Sequence, residues 1–293
     1  MSQFLTVMEI VAPVFILGAI GYSWVRLGHE YRLEFVTTLA MTLSTPCLIF
    51  TALMKSDIDP AALTELSAAA IVGYLALTLV MAALVYGTRL PVRSYLAPLI
   101  FGNTGNVGLP LALFAFGETG LSYAVVIFAV MAVWSFTFGV WVVSGGGSVL
   151  KVLREPIVAA SLLGALFLWQ GWQTPVFLTN ALDLIGQIAI PIMLITLGVA
   201  VARLRPGRLG RAAWLSAAKY LICIALAWTI ARLFGLDQVA TAVMVMQFAT
   251  PIAVTSYMLA EKYEADSDSV AGLVVVSTIM AVAVFPVLLA IFV

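Results

Sequence analysis

Charged residues are scarce in this chain of 293 residues. Only 10% are Asp, Glu, Lys or Arg, whereas 63% are hydrophobic. A soluble domain carries about 25% charged residues, so this composition excludes a soluble globular enzyme and a disordered chain. The 14 basic and 14 acidic residues cancel, which leaves no net field to attract a nucleic acid.

Cysteine and histidine are nearly absent as well. Cys47 and Cys223 lie far apart inside apolar segments, and His29 is the single histidine. Two isolated thiols form neither a CxxC pair nor a disulfide framework, and a lone histidine builds neither a metal site nor a catalytic triad. We therefore expect a protein that is not an enzyme and that has no cofactor and no metal centre.

Long apolar runs make up most of the chain. A membrane-spanning helix needs about 20 mostly apolar residues, and such runs, with the breaks between them, predict ten spans. The first span lacks a basic segment before it and a cleavage site after it, so we expect a retained helix. The chain is thus predicted to be an all-α polytopic membrane protein. The predicted spans are 4–25, 33–54, 66–88, 94–116, 120–143, 156–173, 175–201, 210–234, 238–262 and 268–292.

Basic residues are distributed unevenly between the predicted loops. The loops after the even-numbered spans contain only Lys55 and Arg232. Lys219 lies inside span 8, where we expect it to reach the inner interface. Because positively charged loops stay in the cytoplasm, the bias predicts a multi-pass protein of the cell inner membrane with both termini outside. The eleven basic residues in the loops after spans 1, 3, 5, 7 and 9 are Arg26, Arg32, Arg89, Arg93, Lys151, Arg154, Arg203, Arg205, Arg208, Arg211 and Lys262.

The two halves of the chain resemble each other at offsets near half its length. Five spans per half would reverse the second half in the membrane, a design common among secondary transporters. We therefore expect inverted five-helix repeats at 1–144 and 154–293, joined by a cytoplasmic linker at 145–153. The matching segments are 17–19 with 163–165, Pro46 with Pro191, and 131–133 with 280–282.

Spans 4 and 9 contain helix-breaking residues at matching places. Three glycines, two asparagines and a proline lie between Gly102 and Pro110, and Pro251 interrupts span 9. Irregular backbone survives at membrane depth only where protein buries it or water reaches it, and the N-termini of half-helices attract anions. We expect the two broken helices to cross near the midplane and to bind an anion. The candidate substrate-binding residues are Gly102, Asn103, Thr104, Gly105, Asn106, Gln247, Thr250, Pro251, Ile252 and Thr255.

Four further residues are candidates for mechanical or coupling roles. Pro46, Pro110 and Pro191 are candidate helix breaks or hinges, because proline removes a backbone hydrogen bond. Asp183 is an ionisable residue inside span 7 and is the candidate for coupling to a proton or cation. Simpler alternatives stay open: the small residues of span 4 could serve close helix packing, and the prolines could only kink a static scaffold.

The segment Asn103–Pro110 resembles the span-4 signature of the auxin efflux carrier family, and residues 250–263 resemble span 9 of that family. The resemblance covers essentially the whole chain, with Gly102 standing where the plant pattern has proline. It implies a scaffold of spans 1, 2, 6 and 7 and a mobile transport domain of spans 3–5 and 8–10. It also implies a small organic anion as substrate, auxin-like or a dicarboxylate, whose carboxylate Asn103 would hold.

These observations together predict a secondary carrier of small organic anions that works by an elevator-type movement, with H⁺ or Na⁺ as candidate coupling ions. One alternative is a sodium-coupled organic-anion symporter of the bile-acid type, which shares the ten-helix plan. Another is a sensor or channel built on a transporter fold. Membrane lipid surrounds such a protein, and a homodimer is compatible with the pattern without being indicated by it.

Overall fold

The computed structural model describes residues 3–56, 59–146, 156–204 and 207–292. Within these ranges every regular element is helical, apart from one isolated antiparallel bridge. The all-helical prediction is therefore confirmed. Most of the predicted linker, residues 147–153, lies outside the described residues, as do Lys151, Arg154 and Arg205.

The helices follow the predicted spans closely, with several spans divided into two. The first half contains α1 (Gln3–Arg26), α2 (Leu33–Leu39), α3 (Thr45–Met54), α4 (Pro60–Gly87), α5 (Val92–Ile100), α6 (Leu109–Trp134) and α7 (Val140–Ser144). The second half contains α8 (Pro156–Gln170), α9 (Val176–Gln187), α10 (Ala189–Arg203), α11 (Leu209–Leu233), α12 (Gln238–Phe248), α13 (Val254–Lys262) and α14 (Ser267–Phe292).

Wide π-helical turns occur at three places in the first half. They cover Ala40–Ser44, Thr104–Gly108 and Ser135–Gly139. The first joins α2 to α3, the second leads into α6, and the third joins α6 to α7. Such turns often mark functional sites in helices.

Seven helical segments in the described part of the chain are long and apolar enough to cross a membrane, by length and composition alone. The predicted span 66–88 starts too late, because α4 already begins at Pro60. Asp59 caps this helix by accepting the Ala61 N–H at 2.9 Å, and proline suits the first turn because its missing N–H has no helical partner there. Glu65, which the prediction assigned to a loop, therefore lies within the helix.

A tight turn at Gly117 separates predicted spans 4 and 5 within α6. Gly117 has φ 63° and ψ −153°, a conformation that is readily available only to glycine. Beyond the turn, Gly120 lies against the carbonyl of Ala112. A continuous helix would separate these two residues by about 12 Å, so the chain folds back on itself here.

Two pairs of helices form the closest contacts in the molecule. Helix α1 packs along α10, and α3 packs along α8. A Cβ atom on Gly21 would overlap the carbonyl of Ile195, and one on Gly198 would overlap the carbonyl of Gly18. Small residues at these positions let two helix backbones approach where lipid provides no hydrophobic driving force.

The loops for which basic residues predict a cytoplasmic location lie together at one end. The Arg93 guanidinium donates to the carbonyls of Val143 and Tyr263 at 3.0 and 2.8 Å. Arg203 donates to the Tyr31 carbonyl at 2.6 Å. These contacts, together with the ion pair between Arg208 and Asp266, join the loops after predicted spans 1, 3, 5, 7 and 9 at the same end of the molecule.

We expect Gly21→Ala to lower the unfolding temperature in detergent, because its Cβ would separate α1 from the Ile195 backbone of α10. Overpacking of this kind costs about 1–3 kcal/mol. Gly18→Ala is the matched control, three residues away on the same helix, because nothing lies within 4 Å of a Cβ at Gly18. Equal unfolding temperatures for the two variants would contradict the close packing.

Candidate functional site

The breaks in predicted spans 4 and 9 lie against each other in the protein interior. Gly102 and Ile252 form the isolated antiparallel bridge. Beside it, the backbone N–H of Asn103 donates to the Pro251 carbonyl at 2.6 Å. The extended segment between α5 and α6 thus pairs with the extended segment between α12 and α13, and we call this place the crossing.

Glycine makes the close approach at the crossing sterically feasible. A Cβ atom on Gly102 would overlap Oγ1 of Thr250, and one on Gly108 would overlap Oε1 of Gln247. Thr250 Oγ1 in turn donates to the Gln247 carbonyl at 2.8 Å. The glycines of span 4 therefore break the helix and also leave room for a second backbone and its side chains.

Two backbone N–H groups at the breaks have protein partners. The Ile252 N–H donates to Ser277 Oγ at 2.9 Å, and the Asn103 N–H is paired with Pro251. These two N–H groups are therefore not available to bind an anion. The reason is that each break lies within reach of the other and of a hydroxyl on α14, so the protein satisfies groups that lipid would leave bare.

Lys219 is the clearest correction to the sequence-based interpretation. It does not reach the interface: its side chain is 0% exposed, and Nζ donates to the Thr250 carbonyl at 2.8 Å. The Thr250 carbonyl follows the last turn of α12 and precedes a proline, so a lysine side chain can bind it where no helical N–H is present. The position of Lys219 along the helix suggested that it lies at the interface. Its environment is decided instead by the face of the helix on which it lies.

A signal for the position of Lys219 was present in the sequence. Polar or small residues recur on α11 at helical spacing, and all of them are buried. This period of three to four residues identifies the face that packs against the rest of the protein. The buried residues of this stripe are Ser216, Lys219, Tyr220, Cys223 and Ala227.

Unpartnered polar atoms are concentrated at the crossing. Six buried side-chain nitrogen or oxygen atoms in the described ranges lack a hydrogen-bond partner, and four of them belong to Asn103, Thr104 and Gln247. These three residues are 6%, 0% and 1% exposed. Burying an amide without a partner is unfavourable, so a cluster of such groups indicates a place where a ligand or ordered water binds.

A small cavity of about 60 Å³ adjoins the crossing. Its walls come from both sides of an interface, because Met41 and Ile157 belong to the α2–α3 and α8 side, whereas Phe128 belongs to α6. The predicted site residues on its lining are Gly102, Asn103, Gly105, Asn106 and Thr255. The other predicted residues, Thr104, Gln247, Thr250, Pro251 and Ile252, are buried at or beside the crossing without lining the cavity.

A second, larger cavity of about 930 Å³ contains the candidate coupling residue. Asp183 forms an ion pair with Lys55 in its wall, and Pro191 and Glu118 also line it. Asp183 does not line the cavity at the crossing. The structure therefore separates Asp183 from the candidate substrate residues and gives it a basic partner that sequence inspection had not assigned.

The three candidate hinge prolines each lie close to a helix irregularity. Pro46 lies in the first turn of α3 and Pro110 in the first turn of α6, each directly after a π-helical turn. Pro191 is the third residue of α10, which begins just after the interruption at Ile188. At Pro46 and Pro110 a wide turn accommodates a proline that lacks an N–H. At Pro191 the missing N–H itself accounts for the nearby interruption, and motion at all three stays a prediction.

Comparisons with known proteins find similarity to membrane transport proteins. Residues 140–289, just over half of the chain, match the family described as "Membrane transport protein". An uncharacterized transporter of Methanocaldococcus jannaschii is 22% identical, over 92% of this chain and 94% of its own length. A Rhizobium meliloti protein named "Putative malonate transporter" is 23% identical, over 94% of this chain and 92% of its own length.

We expect Gly102→Ala to destabilise the protein, because the new methyl group would overlap Thr250 Oγ1 at the crossing. The cost should be about 1–3 kcal/mol, measured as a lower unfolding temperature. The double variant Gly102→Ala/Thr250→Ala should recover part of the loss, because it removes the overlapping hydroxyl. Strict additivity of the two single effects would show that the residues do not touch.

Proposed function

Because this chain belongs to the membrane transport protein family, which includes the auxin efflux carriers, we propose that it is a secondary carrier of small organic anions. The observation that carries this proposal is the set of buried, unpartnered polar atoms on Asn103, Thr104 and Gln247 at the crossing. The relative named for malonate supports a dicarboxylate as the substrate. The protein would then reside in the inner membrane, with both termini outside.

The chemistry of the crossing suits a carboxylate. Asn103 Nδ2 is a buried donor without a protein acceptor, and a carboxylate only accepts hydrogen bonds. Helix resumes at Thr104 and at Val254, so two helix N-termini begin beside the same cavity. Their first N–H groups carry a partial positive charge, which favours an anion without a cationic side chain in the cavity wall.

The packing of the two halves supports an inverted repeat of ten spans. In the contact between α1 and α10, Gly198 meets Gly18, and in the contact between α3 and α8, Gly164 meets Leu53. These two contacts are related by offsets of 146 residues (18 to 164) and 145 residues (53 to 198). The same interface therefore recurs with the roles of the halves exchanged, as a two-fold axis in the membrane plane requires.

An elevator-type movement fits the position of the two cavities. In the proposed mechanism α1, α2, α3, α8, α9 and α10 form the scaffold, and the remaining helices move with the crossing. The small cavity has walls from both groups, with Met41 and Asn106 among its lining residues, and so has the large one, with Thr51 and Phe114. A sliding of one group along the other would enlarge one space at the expense of the other.

Asp183 stays the proposed coupling residue, and this role requires its ion pair with Lys55 to open. It would have to release Lys55 in order to bind a proton or cation. Both side chains are partly exposed in the large cavity, at 26% and 44%, and partly exposed ion pairs are weak. The pair could therefore open during transport.

We expect Asn103→Ala to reduce malonate uptake into proteoliposomes by at least about tenfold, because a hydrogen bond to a charged group contributes about 1.5–3 kcal/mol. Asn180→Ala is the matched control, since Asn180 is exposed on α9. The measurement is initial uptake of radiolabelled malonate, within a panel of mono- and dicarboxylates. Unchanged uptake of every transported anion in Asn103→Ala would show that the site is elsewhere, and saturable binding without uptake would favour the sensor alternative.

We expect uptake to be the same in sodium and choline media. A bound Na⁺ at the crossing would need several oxygen ligands, and Lys219 already occupies the Thr250 carbonyl. The Lys219 ammonium bound to that carbonyl would also repel a cation at the same place. The test is initial uptake at constant ionic strength with either cation outside. A strict requirement for sodium would instead favour the bile-acid-type symporter.

A further inference from the structure

Lys219 is a buried basic group that the anion site described above does not use. Its side chain is 0% exposed, and its one hydrogen bond to protein, 2.8 Å long, is to the Thr250 carbonyl. The Tyr220 ring lies 5.9 Å from Nζ, a distance at which an aromatic face still attracts a cation. An ammonium group has three donors, so this contact leaves donors unused.

The surroundings of Lys219 offer it partial negative charge but no full counter-charge. It lies beside the C-terminal end of α12, where the helix dipole is negative. None of the ion pairs formed by the described residues includes Lys219. A buried cation without a paired anion is strongly unfavourable, so an anion bound nearby would favour the charged form of Lys219.

Lys219 and Asn103 contact the same short piece of backbone from two directions. Nζ of Lys219 binds the Thr250 carbonyl, and the Asn103 N–H binds the carbonyl of the next residue, Pro251. Two consecutive carbonyls thus link the lysine to the residue at the head of the candidate anion site. An anion held by Asn103 would therefore lie near the lysine, in an interior where water does not screen their attraction.

We propose that Lys219 is the counter-charge for the transported anion, and that it selects dianions over monoanions while holding the crossing in place. The inference rests on the proposed function and deepens it. The anion would sit on the Asn103 side of the crossing and Lys219 on the Thr250 side, with the paired backbone between them. Binding would then compensate the buried lysine, and a second negative charge on the ligand would add to the attraction.

The test compares malonate, a dianion, with its monoamide malonamate, a monoanion of nearly the same shape, in proteoliposome uptake. In Lys219→Gln the amide still has a donor for the Thr250 carbonyl, but the charge is gone. Because Coulomb energy scales with ligand charge, we expect the KM of malonate to rise about tenfold and that of malonamate about threefold. Lys262→Gln, on the exposed end of α13, is the matched control and should leave both values unchanged.

A second variant keeps the test decisive if Lys219→Gln does not fold. Ser216 lies one turn before Lys219 on the same helix face, and its Oγ is buried without a partner. Ser216→Asp would supply an internal counter-charge, and we expect it to reduce the preference for malonate in the same way. Equal changes in both KM values, or no change, would overturn the proposed role of Lys219 and leave the proposed function intact. A wild-type protein that transports neither ligand would contradict the proposed function, and this inference with it.

Discussion

Every peptide N–H and carbonyl at membrane depth needs a partner, because the hydrocarbon supplies none. Helices meet this requirement internally, but predicted spans 4 and 9 are each interrupted by an extended segment at the crossing. The interruption is tolerated because each break provides the partners that the other lacks: Gly102 pairs with Ile252, and Asn103 with Pro251. The neighbouring elements complete the pairing through Ser277 and Lys219.

The same requirement explains why the polar side chains at the crossing stand out. Once the backbone is largely paired, Asn103, Thr104 and Gln247 still carry buried groups without partners. Thr45 and Ser216 carry such groups too, so what distinguishes the crossing is that four of the six in the described ranges lie together there. The functional proposal depends on them because the amide donors of Asn103 and Gln247 have no protein acceptor in the described ranges and suit a carboxylate.

The sequence was a good guide to features that depend on composition and local chain geometry. Helical structure, the two breaks and their approach to each other could be predicted, because glycine, asparagine and proline act on the backbone where they stand. The depth of Lys219 could not be read from its position along the helix, since burial depends on which face meets a neighbour. Its spacing from Ser216 and Cys223 was the better indicator.

Other features depended on contacts that no local pattern contains. The early start of α4 follows from the N-cap at Asp59. This cap can be recognised in the sequence only if Glu65 is taken to lie within the helix. The pairing of Asp183 with Lys55 joins residues that are 128 positions apart. The sequence predicts Asp183 inside a span and Lys55 in a loop. Only the packing of α3 against α9 brings the two residues together.

The bridge between Gly102 and Ile252 has a consequence for how such proteins diversify. It is built from main-chain atoms, so it is indifferent to most side-chain replacements around it, provided that glycine keeps the approach open. The side chains that shape the cavity, such as Phe128 and Met131, belong to α6 and take no part in the bridge. Evolution can therefore exchange the walls of the cavity, and with them the choice of cargo, while the architecture that carries the cargo is inherited unchanged.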